Sequence, residues 1–263
     1  MVRILASALC ALLFPSGTFA PSPPQLESRN TLAIAVDLDR EWNPDKHEPD
    51  EIMSLAEAGS VKAAAAAFDR VKTPTYGWAE RGEKGCSRQG YWLQKLETNM
   101  ASAVSTARKL VAPGGRIDPL GRLLFLVGTS YIEGRSCAVA ADDGKALTYL
   151  IQSAEHGYRE AAELLCTYDG HGEPYRDRAD VIDAYKWSLV ALVLKIQEKG
   201  FLGDNHALAD KYRARLSESQ RTDAAKAADM WLDKLRARYP EIVISSVPPG
   251  WSGSHLLSLA AWR

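Results

Sequence analysis

The side chains of this chain that could do chemistry are sparse, and their spacing fits no familiar reaction. Its four cysteines are Cys10, Cys86, Cys137 and Cys166, with no C-x-x-C pair among them. A thioredoxin-like redox motif and a zinc ribbon are therefore not supported. His47, His156, His171, His206 and His255 show no metal-ligand spacing. Asp37-x-Asp39-x-Glu41, with Glu48 at the twelfth place, echoes a calcium loop. Trp42 stands at the sixth place, where the sharp turn needs glycine, and Pro44 adds to the misfit, so the stretch reads as an acidic, solvated linker. Gly250-Trp251-Ser252-Gly253 falls short of a nucleophile elbow. Its last glycine comes one position early, and neither a strand before it nor a helix after it frames it. No glycine-rich phosphate loop or paired-carboxylate signature occurs. Tyr149, Tyr185, Trp187 and Trp231 lie in helical stripes and read as core. No cofactor, metal or catalytic residue is expected.

Composition narrows the class further. The chain has 263 residues, 46% apolar and 25% charged, with a formal net charge of −1. Nucleic-acid binding usually leaves a basic footprint, and none is present. Residues 1–20 read as an export signal. Arg3 supplies a positive start, Ile4 to Phe14 an apolar run too short to span a bilayer with comfort, and Thr18-Phe19-Ala20 small residues for cleavage. No later stretch is long and apolar enough for a membrane span. The mature chain is thus expected to be soluble and periplasmic or secreted. An oxidising compartment permits one disulfide among Cys86, Cys137 and Cys166 and leaves one thiol over. Cys166, on an apolar helix face, reads as a small core residue.

The elements that would position these side chains are helices. Residues 21–48 read as an extended segment, because Pro21-Ser22-Pro23-Pro24 opens it and Leu32 to Leu38 alternates. Helical periodicity then runs over 49–236, with glycine and proline at the breaks. Residues 237–263 read as a tail. The clearest helical hairpin begins at Pro119. Its first helix carries Leu123, Val127, Gly128 and Tyr131 on one face. A glycine inside a helix costs roughly 1 kcal/mol against alanine, so Gly128 on the apolar face predicts the close approach of a neighbouring helix. The second helix carries Ala146, Leu147, Leu150, Ile151 and Ala154, and His156-Gly157 closes the unit after 38 residues. The next unit has Ala161, Leu164, Leu165 and Cys166, then a helix from Asp183 to Leu192, and ends near Gly200 after 43 residues. Periods of this size are those of two-helix repeats. An earlier unit joins Leu55–Gly59, Val61–Val71, a loop with Gly77, Gly82, Gly85 and Gly90, and a helix from Tyr91 to about Leu110. Ser217 and Gln220 are spaced as a capping box for a last helix with Ala224, Ala225, Ala228, Trp231, Leu232 and Leu235.

These features resemble the Sel-one-like repeat family, relatives of the tetratricopeptide repeats. The resemblance rests on Val127-Gly128-Thr129-Ser130-Tyr131-Ile132-Glu133-Gly134, which fits the family's first helix. Lys145, Ala146, Tyr149, Ala154 and Gly157, and the run Asp183-Ala184-Tyr185-Lys186-Trp187, fit its second. What the resemblance implies is an all-α fold: a superhelical stack of antiparallel hairpins, an α-solenoid with a C-terminal capping helix. It also implies adaptor work without chemistry, another protein or peptide being gripped on a concave face lined by first helices. The partner-facing residues would be Arg122, Phe125, Thr129 and Ile132, then Glu160, Glu163 and Thr167, and in the earlier unit Lys62 and Asp69. Phe125 would anchor the interface or else pack beneath the neighbouring insertion. In the same register Cys86 and Cys137 fall in adjacent inter-helix loops, where a disulfide would contribute about 3–5 kcal/mol, less any strain; two free thiols are the other reading. A rival of another class is a cell-envelope hydrolase, or a protein that binds lactams or peptidoglycan.

Overall fold

The computed structural model describes residues 23–72, 83–110, 119–132, 139–167, 178–199 and 207–240. Among them the regular structure is helical: α1 (Pro23–Leu38), α2 (Pro49–Glu57), α3 (Val61–Lys72), α4 (Glu83–Ser105), α5 (Pro119–Ser130), α6 (Asp143–Glu155), α7 (Arg159–Leu165), α8 (Arg178–Lys199), α9 (Ala207–Arg213) and α10 (Glu218–Arg238). Consecutive helices pack on one another from α2 to α4 and from α5 to α9, and α10 folds back onto α8. That arrangement is compatible with an α-solenoid.

The expected helix junctions are present with their physical causes. Gly59 and Gly157 have φ of +102° and +76°, the left-handed region that glycine enters without a Cβ penalty. They end α2 and α6 and turn the chain into α3 and α7. In α5, a Cβ at Gly128 would stand 3.1 Å from the Tyr149 Cβ and 3.2 Å from the Ala146 carbonyl oxygen. The missing side chain is what lets α5 and α6 approach. Near the start of α5, Gly121 permits a similar approach to His156 and Tyr158, and its carbonyl accepts from the buried Ser153 hydroxyl at 2.5 Å. Ser217 and Gln220 form the reciprocal capping box at the start of α10. Trp231 of α10 meets Trp187 of α8 edge to face, with centroids 5.5 Å apart.

Three expectations need correction. The segment 21–48 is not extended, since α1 occupies Pro23–Leu38. Prolines in a first turn remove N–H groups that have no intrahelical partner anyway. The alternation of Leu32 to Leu38 is overridden by burial of Ala33, Val36 and Asp37 at helical spacing, which leaves Leu32, Ile34 and Leu38 outside. Second, α4 begins at Glu83, so Cys86 sits in its first turn and not in a loop; Gly85 and Gly90 are absorbed into the helix.

Third, the acidic stretch is not simply a solvated linker. Asp39, Glu41 and Glu48 are exposed, but Asp37 is wholly buried. Its carboxylate caps α3 from outside. Oδ1 accepts from the Ser60 hydroxyl at 2.8 Å and the Lys62 N–H at 3.1 Å; Oδ2 accepts from the Val61 N–H at 3.1 Å. Arg108 Nη2 lies 3.0 Å from Oδ2 and also donates to the Gly59 carbonyl at 3.0 Å. A negative charge is favoured at a helix N-terminus by its unpaired N–H groups and dipole. Arg108 is returned to this place by Ala107, whose φ of 52° bends the chain back after α4. Asn99 completes the junction, its amide donating to the carbonyls of Ala56 and Ser60.

Candidate functional site

A groove of about 890 Å³ is walled by the second half of α4, the start of α5, one face of α6 and the end of α10. Helix periodicity explains which side chains reach it. On α4, Leu93, Leu96, Met100 and Ala103 form the core stripe. Glu97, Ala101, Val104 and Ser105 fall on the adjoining stripe and line the groove. On α6, Lys145, Thr148, Tyr149 and Gln152 do the same. Met100, Val104, Leu120 and Leu124 supply an apolar floor, and Val104 is 63% exposed. Glu97, Asp142, Lys145, Glu155 and Arg238 supply charge around it.

Glu97 organises one end. Its carboxylate accepts from the Tyr131 hydroxyl at 2.9 and 3.1 Å and from the Tyr149 hydroxyl at 2.8 Å. The two rings lie parallel, 6.2 Å apart, and the Lys145 ammonium sits 4.9 Å from the centre of the Tyr131 ring. Burial, then the bond to the Glu97 anion, pushes both phenols well above their ordinary pKa. Both tyrosines therefore stay protonated donors at neutral pH. This triad ties the α5–α6 hairpin to α4. At the opposite end, Arg238 donates to the Glu155 carbonyl at 3.1 Å, and the Tyr239 hydroxyl pairs with His156 Nδ1 at 3.1 Å. The Leu235 side chain lies against Gly157. The last helix is thereby pinned to the α6–α7 turn.

The nine residues expected to face a partner are not brought together here, and none of them lines the groove. Thr129 and Ile132 are buried and cannot face a partner. Burial is continuous from Val127 to Ile132, so the end of α5 is enclosed all round and has no outward stripe. Phe125 packs on the Tyr158 ring with centroids 5.2 Å apart, a contact between α5 and the turn before α7. Arg122, Thr167 and Asp69 are exposed. Glu160 and Glu163 both pair with Arg159, and Lys62 donates to the Asp39 carbonyl at 2.6 Å. The groove residues Glu97, Met100, Val104 and Arg238 were missed. The spacing that marks α4's second stripe is legible in the sequence; the approach of α6 and α10 to it is not.

Cys166 is a buried free thiol, as expected. Burial first, and then the nearby Glu163 charge, push its pKa to about 12. Cys86 lies in the first turn of α4, and its expected partner Cys137 lies outside the described residues. So do residues 1–20 and the Gly250–Gly253 motif. Among the described residues no group of His, Cys, Asp and Glu is placed to hold a metal ion, and no helix is long and apolar enough to cross a membrane. No protein-family model, curated protein or solved structure matches the chain.

Proposed function

We propose that this chain is an exported peptide-binding adaptor of the Sel-one-like kind, a superhelical stack of hairpins whose working surface is the groove between α4, α6 and α10. One observation carries the reading: an apolar floor, with Val104 largely open to water, ringed by Glu97, Lys145 and Arg238. Apolar anchors in a desolvated centre with a charged rim are the usual anatomy of a protein-recognition surface. The all-helical packing and the glycine-mediated contact of α5 with α6 support the repeat assignment. Under this reading a disulfide joins Cys86 to Cys137 and clips the first turn of α4 to the connection before α6. A partner peptide lays aliphatic side chains on Val104 and Leu120 and meets the charged ends with its polar groups.

Selection of binders from a random-peptide display library tests this. Peptides enriched in aliphatic residues should bind the native protein and lose at least about tenfold in affinity to Val104→Asp, since a charge replaces an apolar contact. Selection that yields no binder sensitive to Val104→Asp, with the variant still folded by circular dichroism, would refute the proposal.

A further inference from the structure

We propose that the partner of the groove is an aliphatic peptide segment with acidic side chains at one side, whose Asp or Glu carboxylates lie at the α10 end beside Arg238 and Lys234. The inference rests on the peptide-binding reading above and adds the sign and position of the partner's charge. It starts from how charge is divided along the groove. At the Glu97 end stand two carboxylates, Glu97 and Asp142, against one ammonium, Lys145, which sits over the Tyr131 ring. At the other end the groove adjoins a hollow of about 270 Å³, which shares Glu155 and Arg238 with it and is otherwise lined by Trp231, Lys234 and Leu235. These α10 side chains recur at i, i+3, i+4 and i+7 and so stand on one helix face. Here two cations face one carboxylate. Lys234 and Arg238 are both exposed and one helical turn apart. Among the described residues neither pairs with a carboxylate: Arg238 donates to the Glu155 backbone carbonyl, and the neighbouring Asp233 is held by Arg236.

The groove is therefore polarised, and its polarity selects what fits. An acidic side chain is attracted by Lys234 and Arg238 and repelled at the other end, where Glu97 already accepts from two tyrosines. A basic side chain at the α10 end meets like charge. Between the ends Met100, Val104, Leu120 and Leu124 take aliphatic side chains. From Asp142 to Glu155 α6 rises about 20 Å, a span that about six extended residues cover. The α10 face continues for about 10 Å from Arg238 back to Trp231, so the segment runs on beyond the groove. Its carboxylates are accordingly those of Asp or Glu side chains and not a chain terminus.

The test uses the full chain and peptides from the display selection, synthesised with acetylated and amidated ends so that only side chains carry charge. The selected peptides should carry Asp or Glu on one side of their aliphatic positions. Lys234→Glu, a change at an exposed side chain, should weaken binding of such a peptide at least about threefold by fluorescence anisotropy. It should leave unchanged the binding of the same peptide with amides in place of its acids. A peptide with lysine in place of the acids should bind the Lys234→Glu protein more tightly than the native one. Selected peptides that are basic or uncharged, an equal response of the acidic and amide peptides to Lys234→Glu, or binding that requires a free terminal carboxylate would each overturn the inference. If peptides bind in a Val104-dependent way without this charge preference, the inference alone falls. If no peptide is sensitive to Val104→Asp, the peptide-binding reading falls with it.

Discussion

Asp37→Ala should be among the most damaging single substitutions in this chain. The carboxylate is inaccessible and engages four donors: the Ser60 hydroxyl, the Val61 and Lys62 N–H groups and the Arg108 guanidinium. Removing it strands two N–H groups at the start of α3 and leaves Arg108 without its counter-charge. Arg108 Nε is already buried without a partner, so the guanidinium has little left to fall back on. Breaking one side of a buried ion pair costs about 3–5 kcal/mol. At 2–4 °C per kcal/mol for a chain of this size, the melting temperature should fall by roughly 6–20 °C. Asp37→Asn should recover little of this. Both carboxylate oxygens face donors, and whichever way the amide turns, its NH2 confronts two of them. Urea unfolding followed by circular dichroism measures the loss. A cycle with Arg108→Ala should show the double variant less damaged than the sum of the singles, by about 1–3 kcal/mol. An Asp37→Ala loss under about 1 kcal/mol, or additive singles, would show that the buried pair does not hold α1, α3 and the end of α4 together.

Three further outcomes follow from the same contacts. Gly128→Ala should destabilise by about 1–2 kcal/mol, because its Cβ meets the Tyr149 Cβ and the Ala146 carbonyl at 3.1 and 3.2 Å, while Gly144→Ala, whose Cβ meets only Asp142 at 3.5 Å, should stabilise by about 0.5 kcal/mol; melting curves of both decide it. The raised pKa of Tyr131 and Tyr149 means that folding favours their protonated forms, so this contribution is intact below about pH 10 and is lost as pH rises further; thermal melts at rising alkaline pH should show the decline, and Tyr131→Phe with Tyr149→Phe should flatten it. Cys166, with its pKa near 12, should resist thiol reagents at pH 8 in the native protein and react on unfolding, as timed labelling and mass spectrometry would show; rapid native labelling would refute its burial.

What the sequence made legible is local. Gly128 announced a close helix approach because a costly residue on an apolar stripe needs a packing reason, and the neighbour proved to be α6. Ser217 and Gln220 announced their cap, since both partners lie within one turn. Asp37 was illegible for the opposite reason. Its burial depends on Arg108, which is remote in sequence and is delivered by a left-handed alanine that no propensity rule favours. Thr129 and Ile132 were misassigned because a single-stripe rule assumes that one face of a helix stays wet. The end of α5 breaks that assumption.

The groove lies at the limit of what pairwise repeat reasoning can find. A hairpin rule places α5 beside α6 and α7 beside α8, yet the groove needs α4 and α10 beside the α5–α6 hairpin, bringing together an earlier unit, the middle unit and the last helix. It is α10 that makes the meeting possible. By packing on α8 through Trp231 and reaching the α6–α7 turn through Leu235, Arg238 and Tyr239, the last helix spans two hairpins. This helix does more than cover an apolar face, for its end sets the far wall of the groove. Contacts that fix α10, such as the Trp187–Trp231 pair, should therefore govern binding as well as stability, even though neither tryptophan lines the groove.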